Sequence, residues 1–276
     1  IQMHRATFRQ SATMTEQSII VFRLIVMILR ISVSACFIGH GMWGLVSKPG
    51  WLPFFKIINV PEVIALQIMP YIGSIDIIVG VLILFVSNKW LVYWAIFWTA
   101  FTALLRPLAA MGFSEFIERA GNFGPPIALL ICLNMIAKNE ITNEEKLKYG
   151  YIKIEKILRL SLFLLLIGHA GIAMIHFQPN LIKNLSFLGY PTEATGMYFF
   201  GAFEIVLAIL VLWKPRLTGL MIFVMIFKLM IESIYPLRGI AFDIFETIER
   251  VGDYLIPLCL LLIYKFTHYF NPDLAR

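Results

Sequence analysis

R-I-S-V-S-A-C-F-I-G-H-G-M-W, residues 30–43, sets a histidine between two glycines at the end of an apolar run. Residues 159–171 read R-L-S-L-F-L-L-L-I-G-H-A-G. In both stretches an arginine is followed ten positions later by the histidine of an Ile-Gly-His triplet. Chance is a poor source for such a match, because the repeated positions are polar residues inside aliphatic sequence. The recurrence predicts an internal duplication. The surroundings predict its medium: a long apolar run carrying one ionisable group is a helix written for lipid.

Composition agrees. Of 276 residues, 59% are hydrophobic and 14% charged, where a soluble domain keeps about 25% charged. Mean hydropathy is +0.81. The formal net charge is +6, but in a lipid-embedded chain the placement of Lys and Arg matters more than their sum. No basic stripe lies outside the loops, so nucleic-acid binding is set aside. Cys36, Cys132 and Cys259 sit in apolar runs without CxxC or metal-ligand spacing and are expected to be small buried hydrophobes. Residues 1–17 are polar and basic without an apolar h-region, so no removable signal peptide is expected.

About 20 apolar residues span a bilayer. Eight runs qualify: 18–46, 62–87, 90–111, 123–138, 157–178, 194–213, 217–236 and 253–268. Arg5, Arg9, Arg23, Lys89, Lys138, the lysines of 146–156, Lys214, Arg216, Lys265 and Arg276 fall on one side of this layout. Lys48, Lys56, Arg106, Arg119, Lys183, Arg238 and Arg250 fall toward the other. The larger set marks the cytoplasmic face, with both termini inside. The polar segment 139–156 lies midway and reads as a cytoplasmic linker. It divides an N-terminal arm (1–17) and a first module (18–138) from a second module (157–268) and a C-terminal tail (269–276).

The modules align along most of their length. Pro61 matches Pro191, Gly73-x-x-Asp76 matches Gly201-x-x-Glu204, and Pro107-Leu108 matches Pro236-Leu237. Ile117-Glu118-Arg119-x-Gly121-Asn122 matches Ile248-Glu249-Arg250-x-Gly252-Asp253. An even number of spans per copy makes the repeat parallel, with a two-fold axis along the membrane normal. The expected fold is an all-α integral membrane protein: eight transmembrane helices in two parallel, pseudo-symmetric four-helix bundles. Phe113-x-x-Phe116 and Phe242-x-x-Phe245 precede the Glu-Arg pairs and suggest short interfacial or re-entrant helices. Trp90, Trp94 and Trp98 recur every four residues and read as a lipid-facing or packed stripe.

Several polar groups could carry chemistry. His40 and His169 fall in the outer halves of their helices, where each could brace two helices, bond a quinone or other ligand, or ligate a metal or haem. Haem fits least, because one histidine per module requires both rings to converge. Asp76 and Glu204 lie on faces of small residues (Gly73, Gly80; Gly201, Ala208) and must be paired, hydrogen-bonded or protonated. The histidine of the same module is the expected partner, with proton delivery or ligand binding as the alternative. Arg106, Glu118, Arg119 and Asn122 in the first module, and Glu249, Arg250 and Asp253 in the second, gather at the outer face. Adjacent Glu and Arg on one helix project apart, so each is expected to reach another element. Lys228, deep in its span, needs a partner, and Glu232 four residues on, or Glu204, would serve to form a buried ion pair. Tyr235 stands where the first module has Arg106, which favours the first module as the working one. There is no P-loop, GxGxxG, HExxH or CxxCH, and no metal site is expected.

The run from Arg30 through Ile38-Gly39-His40-Gly41, Lys48 shortly after, Gly73-Ser-Ile-Asp-Ile-Ile-Val-Gly80 and the polar segment before the fourth span resemble the DoxX/DoxD-like family of four-span membrane proteins. The resemblance covers about 20–140 and 157–268, as two fused modules. The second copy departs, with Gly-His-Ala for Gly-His-Gly and no matching lysine. The resemblance implies a respiratory or redox-associated subunit in a prokaryotic cytoplasmic membrane, partnered by other subunits of a complex. In that setting His40, Asp76 and Arg106 are the candidate catalytic or quinone-binding groups. The rival readings are a structural or lipid-binding scaffold subunit and a transporter or cargo receptor.

Overall fold

The computed structural model describes residues 2–213 and 217–270, with side chains described for 17–213 and 217–265. Lys214, Arg216, Arg276 and most of the expected tail lie outside the described residues, as do the side chains of Arg5 and Arg9. The described chain is helical and contains no strand. In order it forms α1 (Gln2–Leu45), a 3-10 turn (Pro49–Trp51), α2 (Leu52–Lys56), α3 (Glu62–Phe85), α4 (Lys89–Leu108), α5 (Phe113–Glu118) and α6 (Ala120–Ala137). A second 3-10 turn (Glu140–Thr142) leads to α7 (Glu144–Met174), α8 (Pro179–Phe187), α9 (Ala194–Trp213), α10 (Thr218–Leu237), α11 (Ile244–Glu249) and α12 (Val251–Phe270). Seven described stretches are long and apolar enough to cross a bilayer: 17–45, 62–85, 89–108, 113–137, 144–174, 194–213 and 218–237. This is a multi-pass membrane protein in contact with lipid. Its outer surface suits that solvent, with Phe85 76%, Trp90 79% and Phe199 69% exposed.

Local sequence sets the helix ends. The Asn88 side chain accepts from the Trp90 amide at 2.8 Å and starts α4, and Asn143 accepts from the Lys146 amide at 3.0 Å and starts α7. Within the expected linker 139–156, that second cap marks where helix resumes. Only 138–143 connects the two modules outside a long helix; Glu144 onward is already α7. The charged residues of 144–156 mask a buried face formed by Leu147, Gly150, Tyr151 and Ile154, at i, i+3, i+4 and i+7. The Tyr151 hydroxyl donates to the Ser18 carbonyl at 2.8 Å, tying the base of α7 to α1.

Lipid offers no hydrophobic drive between helices, so small residues and close contact hold them together. Helix α1 lies along α3 and α7 along α9; α4 packs on α6 and α10 on α12. The modules are not separate bodies. Helix α6 packs on α7 and α1 on α12, and one continuous core takes Leu29 from α1, Leu129 from α6, Leu162 from α7, Val224 from α10 and Leu260 from α12. The short helices cross over as well: α5 packs against α7, and α11 against α1. Glycine makes these crossings possible. A Cβ on Gly39 would lie 2.8 Å from Glu249 Cα, and one on Gly168 would lie 2.5 Å from Glu118 Cα.

Candidate functional site

The end of α1 meets the middle of α3 through Gly44, where a Cβ would stand 2.7 Å from Gly73 Cα. That approach brings His40 to Asp76, whose carboxylate is 2.7 Å from His40 Nδ1 and 1% exposed. With Nδ1–H donated to the carboxylate, the neutral ring keeps a lone pair on Nε2, and the protonated ring would donate there instead. Trp51, from the 3-10 turn after α1, stacks on the imidazole at 4.4 Å and 27°. The ring is thus fixed from its edge and from its face.

His40 forms part of the wall of a cavity of about 240 Å³. Most of the lining is apolar or aromatic: Cys36, Phe37, Trp51, Phe54, Phe55, Ile58, Ile72, Trp98, Phe101, Ala103 and Leu105. Ile58 and Phe101 are 70% and 40% exposed, so the cavity opens on the apolar surface of the molecule. Its polar groups are His40, Thr99, Thr102, Arg106, Arg119, Asn122 and Glu249. Thr99 donates to the Ala95 carbonyl at 2.6 Å and Thr102 to the Trp98 carbonyl at 3.0 Å, which leaves both hydroxyl oxygens able to accept. Asn122 is 9% exposed and makes no side-chain hydrogen bond among the described residues. Arg106 is held by Glu115 at 3.1 Å. Arg119 is held by Glu249 at 2.7 Å.

The Arg119–Glu249 bond crosses between modules, and its mirror does too: Arg250 Nε lies 3.6 Å from Glu118. The acids and arginines expected to reach another element thus reach across to the opposite module. The neighbours Glu118 and Arg119 also come close without a hydrogen bond. Arg119 Nε lies 3.1 Å from Glu118 Oε2, and neither atom has a hydrogen-bond partner among the described residues. Arg119 sits at the junction of α5 and α6 with φ −70° and ψ 5°, so the divergence of side chains within one helix does not apply. On the outer side of this cluster, Glu246 accepts from both Lys48 and Arg250.

The second module repeats the dyad. His169 Nδ1 lies 2.9 Å from each oxygen of Glu204, and both residues are buried. Beside them Lys228 is fully buried, 3.8 Å from Glu232 and 3.6 Å from Asp253. Arg250 lies 3.8 Å from Glu232 and joins this group to the cross-module cluster. Among the described residues no three His, Cys, Asp or Glu side chains are grouped to hold a metal ion.

Sequence reasoning had not singled out Trp51, Thr99, Glu115 or Glu246 as site residues. Glu115 and Glu246 did carry a signal, since Glu115 lies inside the first phenylalanine repeat and Glu246 directly follows the second, each just ahead of a Glu-Arg pair. Trp51 and Thr99 carried none, because an aromatic or a threonine in apolar sequence is ordinary. The chain matches no protein-family model, no curated protein and no solved structure.

Proposed function

We propose that this chain is a quinone-interacting subunit of a membrane redox complex, and that its first module binds one neutral quinone-class ring. The observation that carries the reading is the apolar, lipid-facing cavity beside a histidine whose other nitrogen is fixed by a buried carboxylate. An apolar cavity of about 150 Å³ accommodates benzene, so about 240 Å³ suits one substituted ring, with any tail left in lipid. Neutrality follows from the wall. Both arginines are already matched by acids, and Thr99, Ala103 and Asn122 bring no charge. One ring oxygen would meet His40 Nε2, a quinone carbonyl accepting from the protonated ring and a hydroquinone hydroxyl donating to the neutral one, and another would meet the free amide of Asn122. Neutral His40 would take a proton from a ring hydroxyl at Nε2, with Asp76 stabilising the imidazolium that forms; the protonated ring would return it. Electrons would pass to or from a redox group on a partner subunit.

The finer architecture belongs to the same proposal. The α12 helix serves as an eighth span, a pseudo-two-fold axis relates the modules along the membrane normal, and both termini face the cytoplasm. The resemblance to DoxX/DoxD-like proteins supports a respiratory setting. The scaffold reading draws its support from the second module, where His169 is held by Glu204 and Lys228 lies within 3.8 Å of both Glu232 and Asp253. The transporter reading needs a passage between modules, yet Gly121 and Gly252 meet there backbone to backbone.

Trp51 and Trp98 line the cavity, so quenching of tryptophan fluorescence by a short-chain benzoquinone should report binding to purified protein. Loss of a charge-assisted hydrogen bond costs about 1.5–3 kcal/mol, so His40→Ala should weaken binding about tenfold to a hundredfold. Asp76→Asn should weaken it less. Equal affinity in wild type and His40→Ala, or no saturable quenching in either, would remove the reading.

A further inference from the structure

Places that line the cavity have counterparts in the second module, and larger or charged side chains stand there. Helices α4 (Lys89–Leu108) and α10 (Thr218–Leu237) are both 20 residues long and place proline next to last, so their positions correspond one to one. Thr99 corresponds to Lys228 and Ala103 to Glu232. The matched Gly-x-x-acid motifs on α3 and α9 pair Ile72 with Phe200, and the motifs opening α6 and α12 pair Asn122 with Asp253. All four first-module residues line the cavity. At each of the four places the second module has a larger or charged side chain. These replacements are buried: Phe200 is 6% exposed, Lys228 0%, Glu232 1% and Asp253 2%.

The packing shows how the space is used. Phe200 reaches the Phe227 ring at 6.2 Å and the His169 ring at 6.2 Å. Lys228 runs inward between Asp253 and Glu232, yet its ammonium makes no hydrogen bond. An ammonium without a hydrogen bond in a dry interior is an expensive way to brace helices. It is an effective way to occupy a volume beside a His-acid pair. Removing the charges as a group is tolerable in principle, because replacing a buried ionic cluster by neutral residues of adequate packing is often neutral or stabilising.

We infer that the second module contains a closed duplicate of the first-module site, with Lys228 as its built-in occupant, so that the chain offers one ligand-binding cavity and not two. The functional meaning of this inference rests on the quinone reading, but the filling itself does not. Cys36 provides the test, because it lines the open cavity and corresponds to Leu165, ten-residue spacing from arginine to histidine being the same in both copies. Phenylmercury is an apolar, ring-sized thiol reagent, and intact-protein mass counts its additions.

With Cys132 and Cys259 replaced by alanine, the protein should take one phenylmercury, at Cys36. Adding Leu165→Cys should leave the count at one. Adding Leu165→Cys together with Phe200→Ile, Lys228→Thr, Glu232→Ala and Asp253→Asn should raise it to two. The reverse set, Thr99→Lys, Ala103→Glu and Asn122→Asp, should protect Cys36 and guards against loss of fold in the opened variant. Labelling of Leu165→Cys before opening overturns the inference. So does a folded opened variant that still takes one, or a filled variant whose Cys36 reacts at the parent rate. If these counts hold while benzoquinone fails to bind, the quinone reading falls and the filled duplicate stands.

Discussion

Gly39→Val should prevent the protein from reaching its native state. A Cβ at this position would lie 2.8 Å from Glu249 Cα and equally near the Phe245 carbonyl oxygen, both backbone atoms of α11. Backbone cannot swing aside as a side-chain tip does. Overpacking of a tight interior costs about 1–3 kcal/mol and more when the neighbours cannot yield, so a loss of about 3 kcal/mol or greater is expected. Gly168→Val should act alike through Glu118 on α5. Gly219→Ala is the control, since nothing lies within 4 Å of a Cβ there, and it should be harmless. Thermal unfolding in detergent ranks the three; a Gly39→Val midpoint equal to wild type would show that α1 and α11 are not in contact.

Arg119→Met should be the most damaging change among the polar residues. Arg119 is 6% exposed, bonds Glu249 at 2.7 Å and touches Glu118 at 3.1 Å, and both acids are 4% exposed. Removing the guanidinium strands Glu249 in a dry interior, and breaking one partner of a buried pair costs about 3–5 kcal/mol. The double change Arg119→Met with Glu249→Met should recover much of that loss, because no unmatched charge remains. The two residues come from different modules, so the recovery doubles as a test of the crossover. A double variant no better than the Arg119→Met single would mean that the arginine acts through some other partner.

The legible parts of this molecule are those written in local pattern. Apolar runs marked the long helices, and glycine next to an ionisable residue marked where helices touch and what they bury. His40 with Asp76, His169 with Glu204, and Lys228 with Glu232 are each close in sequence register and lie on adjacent or identical helices. The crossover of Arg119 to Glu249 and Arg250 to Glu118 was not legible, because an internal alignment pairs each residue with its equivalent and is silent about which copy it reaches. The base of α7 was hidden for a different reason. Lysines and glutamates there outnumber the apolar residues, and only the i, i+3, i+4, i+7 spacing of Leu147, Gly150, Tyr151 and Ile154 betrays a buried face. The cavity was hidden most deeply. Its floor is made by what Thr99 and Ala103 lack, and small residues announce nothing until the neighbours that leave them uncovered are known.

Photolabelling in native membranes with an azido-benzoquinone addresses the lipid-facing site most directly. The proposal predicts adducts confined to the cavity lining, within 36–58 and 98–106 and at Ile72, Arg119, Asn122 and Glu249, lost with excess unlabelled quinone and lost in His40→Ala. Adducts spread along the exposed faces of α3, α9 and α10, and indifferent to competitor, would contradict it.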